Sequence, residues 1–170
     1  MTQVKSQGIA VNPVLLDRVI RGTVEGLMMT GSTPVPVGAS RFQVGGGDLT
    51  VLIGLIGDYT GTMTINCTTK MALFMAAALL GEEQEDLNAD VLDAVGEIGN
   101  MISGSFKDLM LDTKMAFSSI SCPAVIIGPS YDLYYYRGFT TLSVEFEVED
   151  VSTVNLKERI LRVAVSLMKR

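Results

Sequence analysis

An α+β domain, with an antiparallel sheet packed by helices, is the fold class the sequence predicts, and three observations predict it. The chain has 170 residues and a mass of 18.3 kDa, about one domain on a scale of roughly 100–200 residues each. Apolar residues recur at helical spacing in two separated stretches, whereas Leu142, Val144, Phe146 and Val148 alternate with Thr141, Ser143, Glu145 and Glu147, the period of a strand with one wet face. Strand-like runs also fall in clusters with helices between the clusters, which argues against a strict βαβ array.

In chain order, Val14, Leu15, Val19, Ile20, Thr23, Val24, Leu27 and Met28 predict an amphipathic helix that starts at Asn12, with Pro13 tolerated in its first turn. Gly31-Ser32-Thr33-Pro34 stops it, and a short extended segment leads to a Gly45-Gly46-Gly47-Asp48 turn. Leu49 to Ile56 and Thr62 to Ile65 read as strands joined across Gly57 to Gly61. Lys70 to Leu80 is helix-prone and ends at Gly81. Asn88 or Asp90 can cap a long helix from about Ala89 to Met110. Ala116 to Ser121, Ala124 to Ile127, and two longer runs from Thr140 and Glu158 complete the strands. No low-complexity segment or strong repeat is visible.

Composition narrows the chemistry. With 48% hydrophobic and 19% charged residues and a mean hydropathy of +0.36, the chain can bury a full core. The apolar run Met71 to Leu80 is too short to span a bilayer. Met1 to Gly8 has no apolar stretch before a cleavage site, so a cytoplasmic protein is expected. Thirteen basic against 19 acidic residues give a net charge of −6, which repels a phosphate backbone, so neither nucleic acid nor membrane is an expected partner. The absence of histidine removes Ser-His-Asp and Cys-His catalysis and every His-containing zinc site. Cys67 and Cys122 read as small buried hydrophobes. Tyr131, Tyr134, Tyr135 and Tyr136 crowd one segment, read as a tyrosine-rich strand pair, with a binding surface or dimer edge as the alternative. Asp86 to Glu97 mimics a calcium loop but has Val91 where the turn needs glycine. Gly45-Gly46-Gly47 lacks the Lys of a phosphate loop. No metal site is expected.

The long helix carries the signal. At 100° per residue, Val91, Val95, Ile98, Ile102, Phe106 and Leu109 share one side, the core side. Asp93, Glu97, Asn100, Gly104 and Asp108 form a stripe opposite, with a carboxylate and a carboxamide one turn apart facing solvent. Taken alone, such a pair merely solubilises a helix. Gly99 points toward the sheet, while Gly104 lies where a partner protein can come close.

The wider spacing says more. Asp93-x-x-x-Glu97-x-x-Asn100 is followed, after 22 intervening residues, by Pro123. This resembles the signature of the CheC/CheX/FliY chemotaxis phosphatases, and so do the text from Asp90 to Gly104 and the Gly54 to Gly61 hairpin. The resemblance covers about residues 10 to 168 and is nearest to the CheX type. It implies a CheC/CheX-like fold with a pseudo-repeat within a single domain over residues 1–170. CheC-type members carry two such helices; here the first offers Glu25 but has Met28 three residues on, so one site per chain is implied. CheX-type association as homodimers is implied as well. Independently, Leu161, Val163, Val165 and Leu167 alternate near the chain end, which predicts an edge strand that a second copy would cover.

The implied substrate is the aspartyl phosphate of a CheY-type response regulator, with Mg²⁺ held by the regulator and no cofactor bound by this chain. Phosphoryl transfer rewards positioning of an in-line water more than strong base catalysis, and a carboxamide oxygen can accept from that water. Asn100 takes this role. Glu97, carried over by position, pairs with the regulator's lysine; as a general base, an exposed carboxylate is too weak to help much at neutral pH. Asp93 contacts the regulator or caps local hydrogen bonds. Gly104 admits the partner, and Pro123 shapes the loop bordering the site. The alternative is a non-catalytic CheX-like interaction module that binds a response regulator, a CheD-type deamidase or the flagellar switch. A small-molecule hydrolase is disfavoured, because Asp93 and Glu97 lie on a convex helix face rather than in a cleft.

Overall fold

The Asn12 side chain accepts hydrogen bonds from the Val14 and Leu15 amides (3.0 and 3.2 Å), and with Pro13 fixing φ in the first turn this cap starts helix α1, Pro13–Leu27. The computed structural model describes residues 11–42, 46–129, 131, 133–135 and 137–170. After a 3-10 turn at Met28–Thr30 come β1 (Val35–Ser40), β2 (Leu49–Gly57) and β3 (Tyr59–Cys67). Helix α2 (Thr69–Leu80) is capped by the Thr68 hydroxyl and ends at Gly81 in the left-handed region (φ 79°). Helix α3 (Ala89–Leu109) leads to β4 (Phe117–Ile120), β5 (Ala124–Ile127), β6 (Thr140–Glu147), a 3-10 turn at Leu156–Arg159, and β7 (Ile160–Lys169). Among the described residues no helix is long and apolar enough to cross a membrane.

All pairings are antiparallel, in the order β1-β6-β7-β3-β2-β4, with β5 pairing β2 beyond β4. Alternate residues of β2, β3, β6 and β7, among them Ile53, Met63, Phe146 and Val163, are fully buried and build one core with α1 and α3. The expected α+β class therefore holds, and the pseudo-repeat shows in the connectivity. Each half supplies a helix, an edge strand and a hairpin: α1, β1, β2–β3, then α3, β4 with β5, and β6–β7. Each edge strand pairs with the other half's hairpin, while β3 and β7 meet at the centre.

Several expectations are corrected. The β2–β3 hairpin closes at Leu55 opposite Gly61, so its connection is Ile56 to Thr60, one residue earlier than expected, with Gly57 pairing β4 and Tyr59 pairing β7 on the outer sides. Gly61 is a strand glycine, because a Cβ there would lie 1.9 Å from the Ser166 carbonyl oxygen of β7. The C-terminal strand is no edge: β7 is paired with β3 on one side and β6 on the other, and it begins at Ile160, since Glu158 belongs to the 3-10 turn. Tyr131, Tyr134 and Tyr135 lie in no strand; the Tyr135 hydroxyl instead bonds Thr62 Oγ1 at 2.6 Å, on the sheet face away from the helices. Tyr136, and Gly45 of the glycine turn, lie outside the described residues. Cys67 is buried, and burial, aided by the Asp48 charge, pushes its thiol up to about 12. Cys122 is exposed, because it sits where the strand is broken between β4 and β5.

Candidate functional site

Asn88, not Asp90, caps α3: its side chain accepts the Val91 amide at 2.9 Å. From there the 3.6-residue period runs as the sequence predicts. Val91, Val95, Ile98, Ile102 and Phe106 are buried and Leu109 is half-buried, while Asp93 and Glu97 are exposed and Asn100 and Gly104 partly so. Among the described residues, the side chains of Asp93, Glu97 and Asn100 have no hydrogen-bond or ion-pair partner. A Cβ added at Gly104 would meet nothing within 4 Å, so the stripe ends in open space.

The back of the helix is seated closely. A Cβ at Gly99 would lie 2.6 Å from Val51 Cγ1 of β2, so this glycine lets α3 settle onto the sheet. On its flank, a Cβ at Gly96 would lie 3.6 Å from Pro123 Cγ and 3.7 Å from Val125 Cγ2. Pro123 therefore packs beside the turn that carries Glu97, on the buried flank at Gly96, while Asp93, Glu97, Asn100 and Gly104 share the outward stripe of α3. Asp93 and Glu97 also line an open groove with Asp90, Glu82, Leu79 and Leu80, between α3 and the end of α2. The sequence reading missed two residues behind Pro123: Ser121, whose hydroxyl accepts the Gly54 amide at 2.8 Å, and Gly54 itself. Neither carries a local signal, because the bond joins positions 67 residues apart in the chain.

The first helix shows what the site lacks there. α1 and α3 cross antiparallel at small residues: a Cβ at Gly22 would lie 2.8 Å from Phe106 Cα, and one at Gly26 2.4 Å from Ile102 Cα. Laying Gly22 on Ile102 and Gly26 on Phe106 maps this crossing onto itself. The same shift lays Thr23 on Ser103, both buried, and each hydroxyl donates to the carbonyl four residues back at 2.8 Å. It lays Asp17 on Glu97 and Ile20 on Asn100. The counterpart of the α3 pair is thus Asp17 and Ile20, not Glu25 and Met28; Met28 has already left the helix.

The sequence model of the chemotaxis phosphatase CheX family matches residues 49–147, more than half of the chain. The chain belongs to the CheX family. Among solved structures, it resembles a chemotaxis protein CheX from Desulfovibrio desulfuricans at 24% identity and TM-score 0.76, over 90% of this chain and 98% of that one. A putative chemotaxis protein from Desulfovibrio vulgaris Hildenborough is similar at 26% identity and TM-score 0.77, over 93% and 99%. The CheX of a CheX–CheY–BeF3–Mg²⁺ complex from Borrelia burgdorferi shares the fold at 22% identity and TM-score 0.67, over 91% and 96%. No curated protein matches the chain significantly.

Proposed function

We propose that this CheX-family chain removes the phosphoryl group from the aspartyl phosphate of a CheY-type response regulator. The observation that carries the reading is the α3 stripe: Glu97 and Asn100, one turn apart, solvent-facing and unpartnered among the described residues, on a helix fixed to the sheet from behind. A site whose groups are already paired would have to break those bonds to act; this one does not.

In the proposed reaction the Asn100 side-chain oxygen accepts a hydrogen bond from a water in line with the phosphorus–oxygen bond to the regulator's aspartate. The water oxygen bonds phosphorus, the acyl oxygen leaves as aspartate, and the water proton passes to the departing inorganic phosphate. Glu97 pairs with the regulator's lysine and sets the register of Asn100; Asp93 and Gly104 meet the partner beside it, and Pro123 borders the turn. Mg²⁺ belongs to the regulator. The CheX–CheY–BeF3–Mg²⁺ complex from Borrelia burgdorferi supports this class of partner, and the cytoplasm is the proposed setting. A homodimer is proposed as well, through the outer edges β1 or β4–β5 in place of the covered β7; β1 leaves Val35 and Val37 about half exposed. Light scattering giving about 18 kDa at micromolar concentration would contradict it.

The test is to mix the protein with the phosphorylated regulator encoded nearest to it and follow phosphate. Faster loss in its presence is expected. Binding without faster loss makes the chain an interaction module instead.

A further inference from the structure

Between Ile120 and Ala124 the chain leaves the ladder with β2. Leu55 pairs with Ile120 and Leu52 with Ala124, so Ser121, Cys122 and Pro123 stand against only Ile53 and Gly54. One extra residue on one strand is the count of a β-bulge. The hydrogen bonds show how it is held. The Ser121 amide donates to the Gly54 carbonyl at 2.9 Å, as in a regular ladder. The Gly54 amide, however, donates to Ser121 Oγ at 2.8 Å, and that hydroxyl donates to the Cys122 carbonyl at 2.9 Å. A side chain thus replaces the ladder carbonyl and frees the main chain to turn. Gly54 makes room, since a Cβ there would lie 3.3 Å from Ser121 Oγ.

The bulge decides which side chain reaches α3. Strand side chains alternate, so without the extra residue Cys122 and Ala124 would follow Ile120 onto the helix side. With it, those two are exposed and Pro123 and Val125 face Gly96. Helical side chains lean toward the N-terminus and cover the turn before their own Cα, which directs the Asn100 side chain, four residues on, toward the turn that holds Gly96. Gly96 carries no side chain there, and the first atoms a Cβ would meet are those of the Pro123 ring and Val125.

We propose that Ser121 is a positioning residue: by holding the bulge it sets Pro123 beside Gly96, and the ring confines the Asn100 carboxamide to the orientation that directs water. This rests on the role given to Asn100 above. In Ser121→Ala the Gly54 amide loses its side-chain acceptor, which frees the main-chain carbonyl to return to the ladder and draw Pro123 off the helix.

The experiment measures turnover of the phosphorylated regulator together with the side-chain amide NMR signal of Asn100 in the free protein, assigned by its loss in Asn100→Ala. Ser121→Ala is expected to lower the saturated rate about tenfold, with half-saturation unchanged because Glu97 is untouched. Pro123→Ala should do the same, and the double variant should be no worse than either single, since both act through one wall. The Asn100 signal should move in both. Ser118→Ala, which removes a hydroxyl bonded to the Ile56 carbonyl at 3.0 Å farther along the same strand, should change neither rate nor signal. An unchanged rate, raised half-saturation alone, or additive losses overturn the proposal. A wild type that does not hasten phosphate loss defeats the phosphatase reading instead, and the Asn100 signal then decides: unmoved, it sinks the role of Ser121. If Ser121→Ala does not fold, Ser121→Thr, which keeps the hydroxyl and should behave as wild type, and Pro123→Ala decide by the same readouts.

Discussion

α1 and α3 follow one plan on their inner faces and differ on their outer ones. Each crosses the other at two close contacts, and each buries one hydroxyl bonded back to its own fourth preceding carbonyl. Outward, α3 presents Glu97, Asn100 and Gly104, while the matching positions of α1 hold Asp17, Ile20 and Val24. Packing fixes the inner residues because a backbone contact under 3 Å admits no side chain. It leaves the outer ones to function, so two helices of one fold can differ in chemistry at no cost to the architecture.

Matched substitutions on the two helices sharpen or break this contrast. The largest effect belongs to Asn100→Ala, expected to lower dephosphorylation about 10²-fold, equivalent to about 2.7 kcal/mol, with regulator binding nearly intact. Ile20→Ala should leave the rate unchanged at temperatures where the protein is folded; equal losses in both would erase the distinction. Next is the crossing itself: Gly26→Ala drives a methyl toward the Ile102 backbone and should cost about 2 kcal/mol in denaturant unfolding. Unaltered stability would show that the helices can slide apart, and that the mapping of Asp17 onto Glu97 is not fixed. Glu97→Ala should weaken regulator binding about tenfold and slow turnover with it, since an interfacial countercharge is left unpaired. Asp17→Ala, which removes an exposed partner of Arg18, should stay within about 0.5 kcal/mol in stability and change neither function. Gly104→Ala runs in the opposite direction: helix propensity predicts a gain of up to about 1 kcal/mol in stability, since the new methyl touches nothing. Regulator binding should fall with that gain, and unchanged binding would mean that the partner does not approach there.

What the sequence revealed follows from what periodicity reports. The 3.6-residue pattern and the Asn88 cap located α3 and both its faces, because a helix displays its inside and outside along one line of residues. The alternation of Leu161, Val163, Val165 and Leu167 identified a strand but misplaced it: alternation records which face is covered, not whether one edge or two are paired. The same limit explains Glu25 and Met28, which match the motif spacing within α1 but not the register set by Gly22 and Gly26 against α3. Ser121 was invisible for a further reason, since its bond to Gly54 joins distant strands through a side chain that no local pattern marks.

The central place of β7 also governs how the chain must acquire its structure. Residues 160–169 enter between β3 and β6, and their pairing reaches back as far as Tyr59 opposite Lys169. Until they leave the ribosome, no strand joins β3 to β6, and each of those two strands lacks the partner for one row of its amides and carbonyls. Contacts of such long sequence separation close slowly, and open edges of this kind are where association with other chains begins. A chain stalled before residue 160 is therefore the species that chaperones should meet, and supplying residues 160–169 as a separate peptide should complete its sheet.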